Sequence, residues 1–414
     1  MKRSGGSAVG IKQTRPVVRA GTVTTPAGVR AAGGHCGIKP ERPDLALVVT
    51  DAPAVAAACF TTNRMAAAPV QVSRSQIASG RAQAVVINSG NANACTGEAG
   101  RRDAWEMVDL TAGALSMSRG LVLVASTGVI GVPLPMDALR RGIPALAGAL
   151  GPHGEDAAAA ILTTDAFPKT GAVEIEIEGR AVTLGGIAKG SGMIHPCMAT
   201  TLSMVTTDAA IAPALAQAAL RRSVERSFNR VSVDGDTSTN DTIFLLATGA
   251  AGHAPLTEAA DPAFPIFQDA LDALTEHLAR LLVLDGEGAS KVIEVSVSGA
   301  ASEEDAQRAG EAICTSPLVK TACHGGEPNW GRIVAAVGRS GAEVDPDRVA
   351  VSIGGVVVVA AGLGERANLP AAAEAMRAAE FGIAVDLGLG AGQWTGWTCD
   401  LTERYVRLNS GYLT

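Results

Sequence analysis

The chain has 414 residues, 47% apolar but only 3% aromatic, and carries a formal net charge of −7. That length allows two or three domains, or one large α/β unit with an appendage, and the core must be built from Ala, Val, Leu and Ile. The acidic balance argues against a nucleic-acid binder with a broad basic face, every long apolar run is broken before spanning length, and seven cysteines without a Cys-x-x-Cys suit a reducing compartment and argue against a disulfide framework or zinc knuckle.

Residues 1–20 hold Lys2, Arg3, Lys12, Arg15 and Arg19 and no acid. They lack an apolar signal region and read as a flexible tail of a cytoplasmic protein. Residues 45–51 and 84–88 are rich in β-branched residues and read as strands. The second runs into Ser89-Gly90-Asn91-Ala92-Asn93-Ala94-Cys95-Thr96-Gly97, which is either a turn cluster with Asx bonds or one wall of a site. Residues 103–118 place Trp105, Val108, Ala112 and Leu115 at helical spacing.

A strand at 120–125 ends in Ser126-Thr127-Gly128. A plain strand-end turn fits, and so does a turn that aims a hydroxyl and a backbone N–H at one point, the geometry of an oxyanion hole. A short helix ends near residue 162 and leads into Thr163-Thr164-Asp165. Residues 172–179 alternate cleanly as a strand with one wet face and pair through a glycine turn with residues 180–184.

The centre of the chain is Lys189-Gly190-Ser191-Gly192-Met193-Ile194-His195-Pro196-Cys197-Met198-Ala199-Thr200. Its glycines allow unusual backbone angles and close approach to a ligand. A threonine hydroxyl needs an adjacent base to act as a nucleophile. A break between Ala199 and Thr200 would supply one, because a free α-amine has a reference pKa of about 7.7–8.0 and lies on the same residue. Self-cleavage by attack of the Thr200 hydroxyl on the Ala199 carbonyl would follow from a strained turn. A buried strand after an ordinary loop is the plainer reading.

Downstream, residues 200–208 read as a strand, with Asp208 as N-cap of a helix running to about Phe228. Asp234, Asp236 and Asp241 sit in a loop that lacks calcium-loop spacing, so no metal site is assigned. A buried strand at 243–248 and an amphipathic helix at 267–282 precede Asp285-Gly286-Glu287-Gly288, where a carboxylate between glycines can approach a ligand amine. A strand from Lys291, a helix over 302–315 with Ser302 as N-cap and Asp305 in the capping-box position, a hairpin around Gly354-Gly355, a short helix at 370–379 and a strand before the C-terminus complete the reading. Cys323-His324 reads as structural, and Gly388, Gly390 and Gly392 lack the spacing of a nucleotide loop.

The central motif resembles the cleavage and nucleophile motif of the ornithine acetyltransferase family, the glutamate N-acetyltransferases of arginine biosynthesis. The resemblance extends from about Gly21 to Thr414 through at least eight blocks, with Ser290 a mild departure where the family more usually has Thr. It implies an α/β fold: an α/β/β/α sandwich shared with the β-aminopeptidases, plus a smaller C-terminal α/β lobe. Residues 21–199 would form the α chain. Residues 200–290 would complete the sandwich, and 291–414 would form the lobe of the β chain. It further implies Thr200 as nucleophile, Thr127 and Gly128 as oxyanion hole, and cleavage at Ala199-Thr200. Substrate would contact Thr163 (with Thr164 not excluded), Lys189, Thr200, Glu287, Asn409 and Thr414. The expected reaction moves an acetyl group from N2-acetylornithine to glutamate without cofactor or metal. Some family members also use acetyl-CoA, and no residue here separates the two kinds. Assembly as α2β2, with no nucleic acid and no membrane, is the family expectation. An amide hydrolase or aminopeptidase on the same scaffold is the rival enzyme, and a non-catalytic metabolite binder the rival outside catalysis.

Overall fold

The computed structural model describes residues 16–195 and 201–411. Ala199, Thr200 and Thr414 lie outside the described residues.

In chain order the first unit contains β1 (Val29–Gly34), β2 (Leu45–Phe60), α1 (Ala68–Gln76), β3 (Arg81–Asn91), α2 (Gly97–Leu115), β4 (Val122–Val129), α3 (Met136–Ala147), α4 (Gly154–Ala160), β5 (Lys169–Ile177), β6 (Arg180–Lys189), β7 (Leu202–Thr207), α5 (Pro213–Arg226), β8 (Val231–Ser232), β9 (Thr242–Ala247) and α6 (Phe264–Leu284). The remainder comprises β10 (Val292–Ala300), α7 (Glu303–Cys314), α8 (Pro317–Gly325), α9 (Trp330–Gly338), β11 (Ala350–Ile353), β12 (Val356–Ala360), β13 (Leu363–Gly364), α10 (Leu369–Ala375), β14 (Glu380–Asp386), β15 (Gly392–Cys399) and α11 (Glu403–Asn409).

The first sheet is eight-stranded, ordered β4-β3-β2-β9-β7-β6-β5, with β1 also on β2. β2 is long enough to serve two neighbours on one side: its first half pairs with β1 and its second half with β9. Alternation along the strands sorts the side chains into two faces. Leu45, Leu47, Ala84, Val86, Val122 and Val124 pack outward against α1, α2 and α3. Val182, Leu184, Val205, Ile243 and Leu245 pack outward against α5 and α6.

The opposite face of both halves is one shared core, including Val85, Ile87, Leu123, Met204, Phe244 and Leu246. Only the short α4 contributes a helix to that core, yet the face is fully buried. The sheet therefore curls, and its two halves pack on each other between outer helix layers. This is the α/β/β/α order that the resemblance implies.

The second sheet runs β13-β12-β11-β14-β10-β15-β8. α7, α8 and α9 cover one face of it, around Ile293, Val295, Ile313, Ile333 and Ile383. β8 joins this sheet in parallel with β15, although it precedes β9 in the chain. The hairpin between β11 and β12 turns on Gly354 and Gly355, both at positive φ (57° and 79°), as a two-residue connection of this kind requires.

Three local expectations change. Asp208 is not an N-cap: α5 begins at Pro213, and the Asp208 carboxylate accepts the N–H groups of Thr183 (2.7 Å) and Ala27 (3.1 Å). Proline pre-set for the first helical turn displaced the start. The segment expected as a strand before the C-terminus is helix α11, capped by the Thr402 hydroxyl. Ser302 caps α7 as expected, but Asp305 accepts from the Ser302 hydroxyl at 2.9 Å rather than from its backbone N–H. Gly388, Gly390 and Gly392 lie about the β14–β15 turn, and the last two pack tightly on the backbone of Ala300 and Ser302.

Candidate active site

β4 and β6 stand first and sixth in the sheet order, so in a flat sheet their ends would lie about 24 Å apart at the usual inter-strand spacing. Here the Lys189 ammonium at the end of β6 donates to the Thr127 hydroxyl at the end of β4, at 3.4 Å. The curl of the sheet makes the site.

A cavity of about 200 Å³ opens at this junction, lined by Thr127, Gly128, Thr163, Thr164, Lys189, Glu287 and Asn409 among others. Every described residue that the sequence reading placed in the site is on its wall. Both threonines of the 163–164 pair line it. The Thr164 hydroxyl is engaged with that of Ser191 at 2.6 Å, whereas the Thr163 hydroxyl makes only a long contact of 3.5 Å to Asp165.

The Thr127-Gly128 turn is held by amides. Asn240 donates to the carbonyls of Ser126 (2.8 Å) and Ala92 (2.6 Å), and the Ser126 hydroxyl donates to Asn88 at 2.5 Å. Gly128 has φ +132°, and a Cβ there would sit 2.3 Å from the Gly90 backbone. No other residue fits. The neighbouring Asn/Gly run is both of the things its sequence allowed. Asn91 makes an Asx bond to the Asn93 N–H at 2.8 Å, and Ala92 faces the cavity.

The turn after β6 carries a strained residue, while the turn at Ala199-Thr200, where the sequence reading expected strain, lies outside the described residues. Met193 adopts φ +57°, a region disfavoured for any residue with a side chain. Asp234 holds it there by accepting the N–H groups of Met193 (2.6 Å) and Ile194 (2.9 Å). Glu287 lies on Gly192 so closely that a Cβ would approach its carboxyl carbon to 2.6 Å. Its backbone N–H donates to the Ser191 carbonyl at 2.7 Å. Asn409 of α11 donates to the Glu287 carboxylate at 2.7 Å. The C-terminal helix thereby closes the cavity.

A charge network with no signature in the sequence lies behind this wall. Lys169 is fully buried and ion-pairs with Asp165 at 2.5 Å and with Asp285. Asp165 also accepts the N–H groups of Gly190 (2.7 Å) and Thr163 (2.9 Å), and Asp285 that of Ala166 at 2.9 Å. One lysine thus ties the 163–166 loop, the Lys189-Gly190 turn and the Glu287 loop together. Burial alone would push the Asp165 carboxyl up, but Lys189 and Lys169 beside it hold it well below the usual carboxylate range. For Lys189 burial is the dominant effect and lowers its pKa, with Asp165 pulling the other way. Widely separated sequence positions carry this network, so no local spacing signals it. Tyr405 and Asp234 are likewise joined, 3.3 Å apart, and Tyr405 was missed because α11 was read as extended.

The other tempting motif is structural. Cys323 is buried, its thiol pushed up to about 12 mainly by desolvation, and His324 pairs with Asp400 at 3.0 Å. Among the described residues no group of His, Cys, Asp or Glu side chains is arranged to hold a metal ion.

A strand-end hydroxyl that meets a buried lysine on a cavity wall within a curled α/β sheet suits an enzyme of the acyl-transfer class. The chain belongs to the ArgJ family, whose model matches residues 30–414, and the family's enzymes act in arginine biosynthesis. It is 51% identical over 399 residues to the arginine biosynthesis bifunctional protein ArgJ of Symbiobacterium thermophilum, covering 95% of this chain and 99% of that protein. It is 49% identical over 378 residues to the protein of the same name from Geobacter sulfurreducens, covering 91% and 96%. Among solved structures, an ArgJ chain from Bacillus halodurans aligns at 41% identity and TM-score 0.49, covering 50% of this chain and 98% of that one. A chain of ornithine acetyltransferase from Mycobacterium tuberculosis, solved with ornithine, aligns at 42% identity and TM-score 0.41, covering 44% and 98%.

Proposed function

We propose that the chain transfers an acetyl group from N2-acetyl-L-ornithine to L-glutamate through an acetyl ester on Thr200, with acetyl-CoA as an alternative donor. Thr200, freed by cleavage after Ala199, attacks the acetyl carbonyl with its own α-amine as base. The Thr127 hydroxyl and Gly128 N–H receive the developing oxyanion. Ornithine leaves, and the glutamate amine takes the acetyl group. Lys189 meets the α-carboxylate common to both substrates, and Glu287 pairs with the ornithine side-chain amine. Asn409 fixes Glu287, Thr163 offers its lightly used hydroxyl, and Thr414 is a further substrate contact.

The observation that carries this reading is the convergence of Thr127, Gly128, Lys189 and Glu287 on one cavity, with the Thr201 hydroxyl bonded to the Lys189 carbonyl at 2.9 Å. The side chains supply all the chemistry, so no cofactor or metal is needed. The two cleaved segments, 21–199 and 200–414, stay together as α and β chains and pair as α2β2 in the cytoplasm. No helix among the described residues is long and apolar enough to cross a membrane.

Intact mass under denaturing conditions, together with an assay of acetylated glutamate against free acetate, tests the proposal. The wild-type chain is expected as two fragments that meet at Ala199/Thr200, with the acetyl group on glutamate. Thr200→Ala should leave one chain and no transfer. Transfer by that variant near the wild-type rate would sink the assignment.

A further inference from the structure

Asn240 is a buried amide to which the reaction above gives no part. It lies in the loop before β9, is 4% exposed and stands on the cavity wall. Its side chain is spent inward. The amide nitrogen donates to the carbonyls of Ala92 (2.6 Å) and Ser126 (2.8 Å), and the amide oxygen accepts the Thr239 hydroxyl at 2.7 Å. Chemistry fixes this orientation, because two carbonyls can only accept and the nitrogen must face them. Its backbone is held too: the N–H donates to the Ser238 hydroxyl at 3.1 Å, and the carbonyl accepts the Thr242 hydroxyl at 3.0 Å. With both amide hydrogens given to the backbone, Asn240 acts on the site through what it holds.

What it holds is the edge of β4. That strand stands at the end of the sheet order, so among the described residues its outer edge pairs with no strand, and its backbone groups there need side-chain partners. Ser73 of α1 serves Val124, donating to its carbonyl at 2.6 Å and accepting its N–H at 2.8 Å. Asn240 serves the Ser126 carbonyl, two residues on. After two residues more, Gly128 leaves the extended backbone at φ +132°, and the β3–β4 register shifts at Gly90/Asn91. The regular ladder gives out at the turn, and Asn240 anchors the peptide that leads into it. The next residues tie this anchor to β7. A carboxylate oxygen of Asp241 accepts the Thr201 N–H at 2.9 Å, and the Thr242 N–H donates to the Thr201 carbonyl at 3.0 Å. Residues 240–242 therefore grip the end of β4 and the entry to β7 at once.

We propose that Asn240 is a positioning residue for acyl transfer, setting the Thr127-Gly128 turn at a fixed reach from Thr201 so that its hydroxyl and N–H meet the acetyl oxygen as charge develops there. This rests on the oxyanion reading of Thr127 and Gly128 above. Donors fixed in advance cost no reorganisation during the reaction, and their value depends on where they point. A displacement of about 1 Å can cost about 10²-fold in rate. Asn240 lies after the proposed break in the chain and the turn lies before it, so an amide of one segment aims the donors of the other.

The test is steady-state kinetics, per cleaved chain, of Asn240→Ala, Gly128→Ala and the double variant with N2-acetylornithine and glutamate. Asn240→Ala should lower kcat about 10²-fold and leave KM for acetylornithine within about two-fold, because Lys189 and Glu287 stay in place. In the Gly128→Ala background the turn is already displaced, so adding Asn240→Ala should lower kcat by less than about three-fold more. A role in stability alone predicts a lower melting temperature with wild-type kcat in the folded enzyme. Wild-type kcat in Asn240→Ala, a change in KM without one in kcat, or losses that multiply in the double variant overturn the inference. Gly128→Ala at wild-type kcat overturns the oxyanion reading and the inference with it. Should Asn240→Ala fail to fold or to cleave, Asn240→Asp keeps the shape and gives up a donor. Lower kcat at unchanged KM in that variant supports the positioning role, and wild-type kcat overturns it.

Discussion

The sandwich and the C-terminal lobe each bury lysines, and they differ in what those lysines face. In the lobe, Lys320 of α8 is 3% exposed and donates to the Thr398 hydroxyl at 2.8 Å and to the Cys399 carbonyl. Its partners are neutral, and it stitches a helix to β15. In the sandwich, Lys169 satisfies two carboxylates completely, while Lys189 reaches one hydroxyl at 3.4 Å and looks into a cavity. Burial of a charge is therefore common to both regions and says nothing about function by itself. The functional mark is a buried charge that meets a single hydroxyl on a cavity wall, beside a second charge paired with two carboxylates.

Five substitutions test this division. The largest effect is expected at the wall itself. Gly128→Ala places a methyl within 2.3 Å of the Gly90 backbone, which displaces the N–H proposed to receive the oxyanion. Steady-state kinetics should show kcat lower by about 10²–10³-fold, the loss typical of one such donor.

Lys169→Met comes next. It strands two buried carboxylates, and chemical denaturation should show a loss of about 3–5 kcal/mol. Lys320→Met strands only neutral acceptors and should cost about 1–3 kcal/mol. Equal losses would erase the distinction between the two regions.

Asp165 gives the comparison a pH dependence. Its folded pKa is depressed below the unfolded value, which is about 3.9. The stability it contributes is present above the unfolded pKa and is lost as pH falls through the folded one. Asp165→Asn should flatten that acid limb of the denaturation midpoint, while a lobe variant such as Lys320→Met leaves it in place.

The smallest effect belongs to α11. Asn409→Ala removes the 2.7 Å bond to Glu287, worth about 1 kcal/mol, and should raise KM for acetylornithine roughly five-fold with kcat little changed.

Much of the fold was legible in the sequence because it is local. Alternation at 172–184 gave the β5–β6 pair, now seen in unbroken register from Lys169 opposite Ala188 to Ile177 opposite Arg180. Paired glycines gave the β11–β12 turn, and Ser302 gave the start of α7. The site residues were legible through a resemblance of whole motifs, since a threonine, a lysine and a glutamate far apart in sequence share no spacing that physics can read. Where the local rules failed, a tertiary bond competed. Asp208 has the chemistry of a helix cap, but β6 and the segment before β1 offered it two N–H groups first.

By itself, then, the sequence determined most of the strands and helices and, through the resemblance, which residues are proposed to meet substrate. Tertiary structure alone decided that they meet. The curl of the first sheet brings Thr127 to the side of Lys189, where a flat sheet would hold them about 24 Å apart, and only the folded chain could pair Lys169 with Asp285. These are contacts between residues distant in sequence, enforced by burying one continuous apolar face against itself, and no local pattern of residues encodes them.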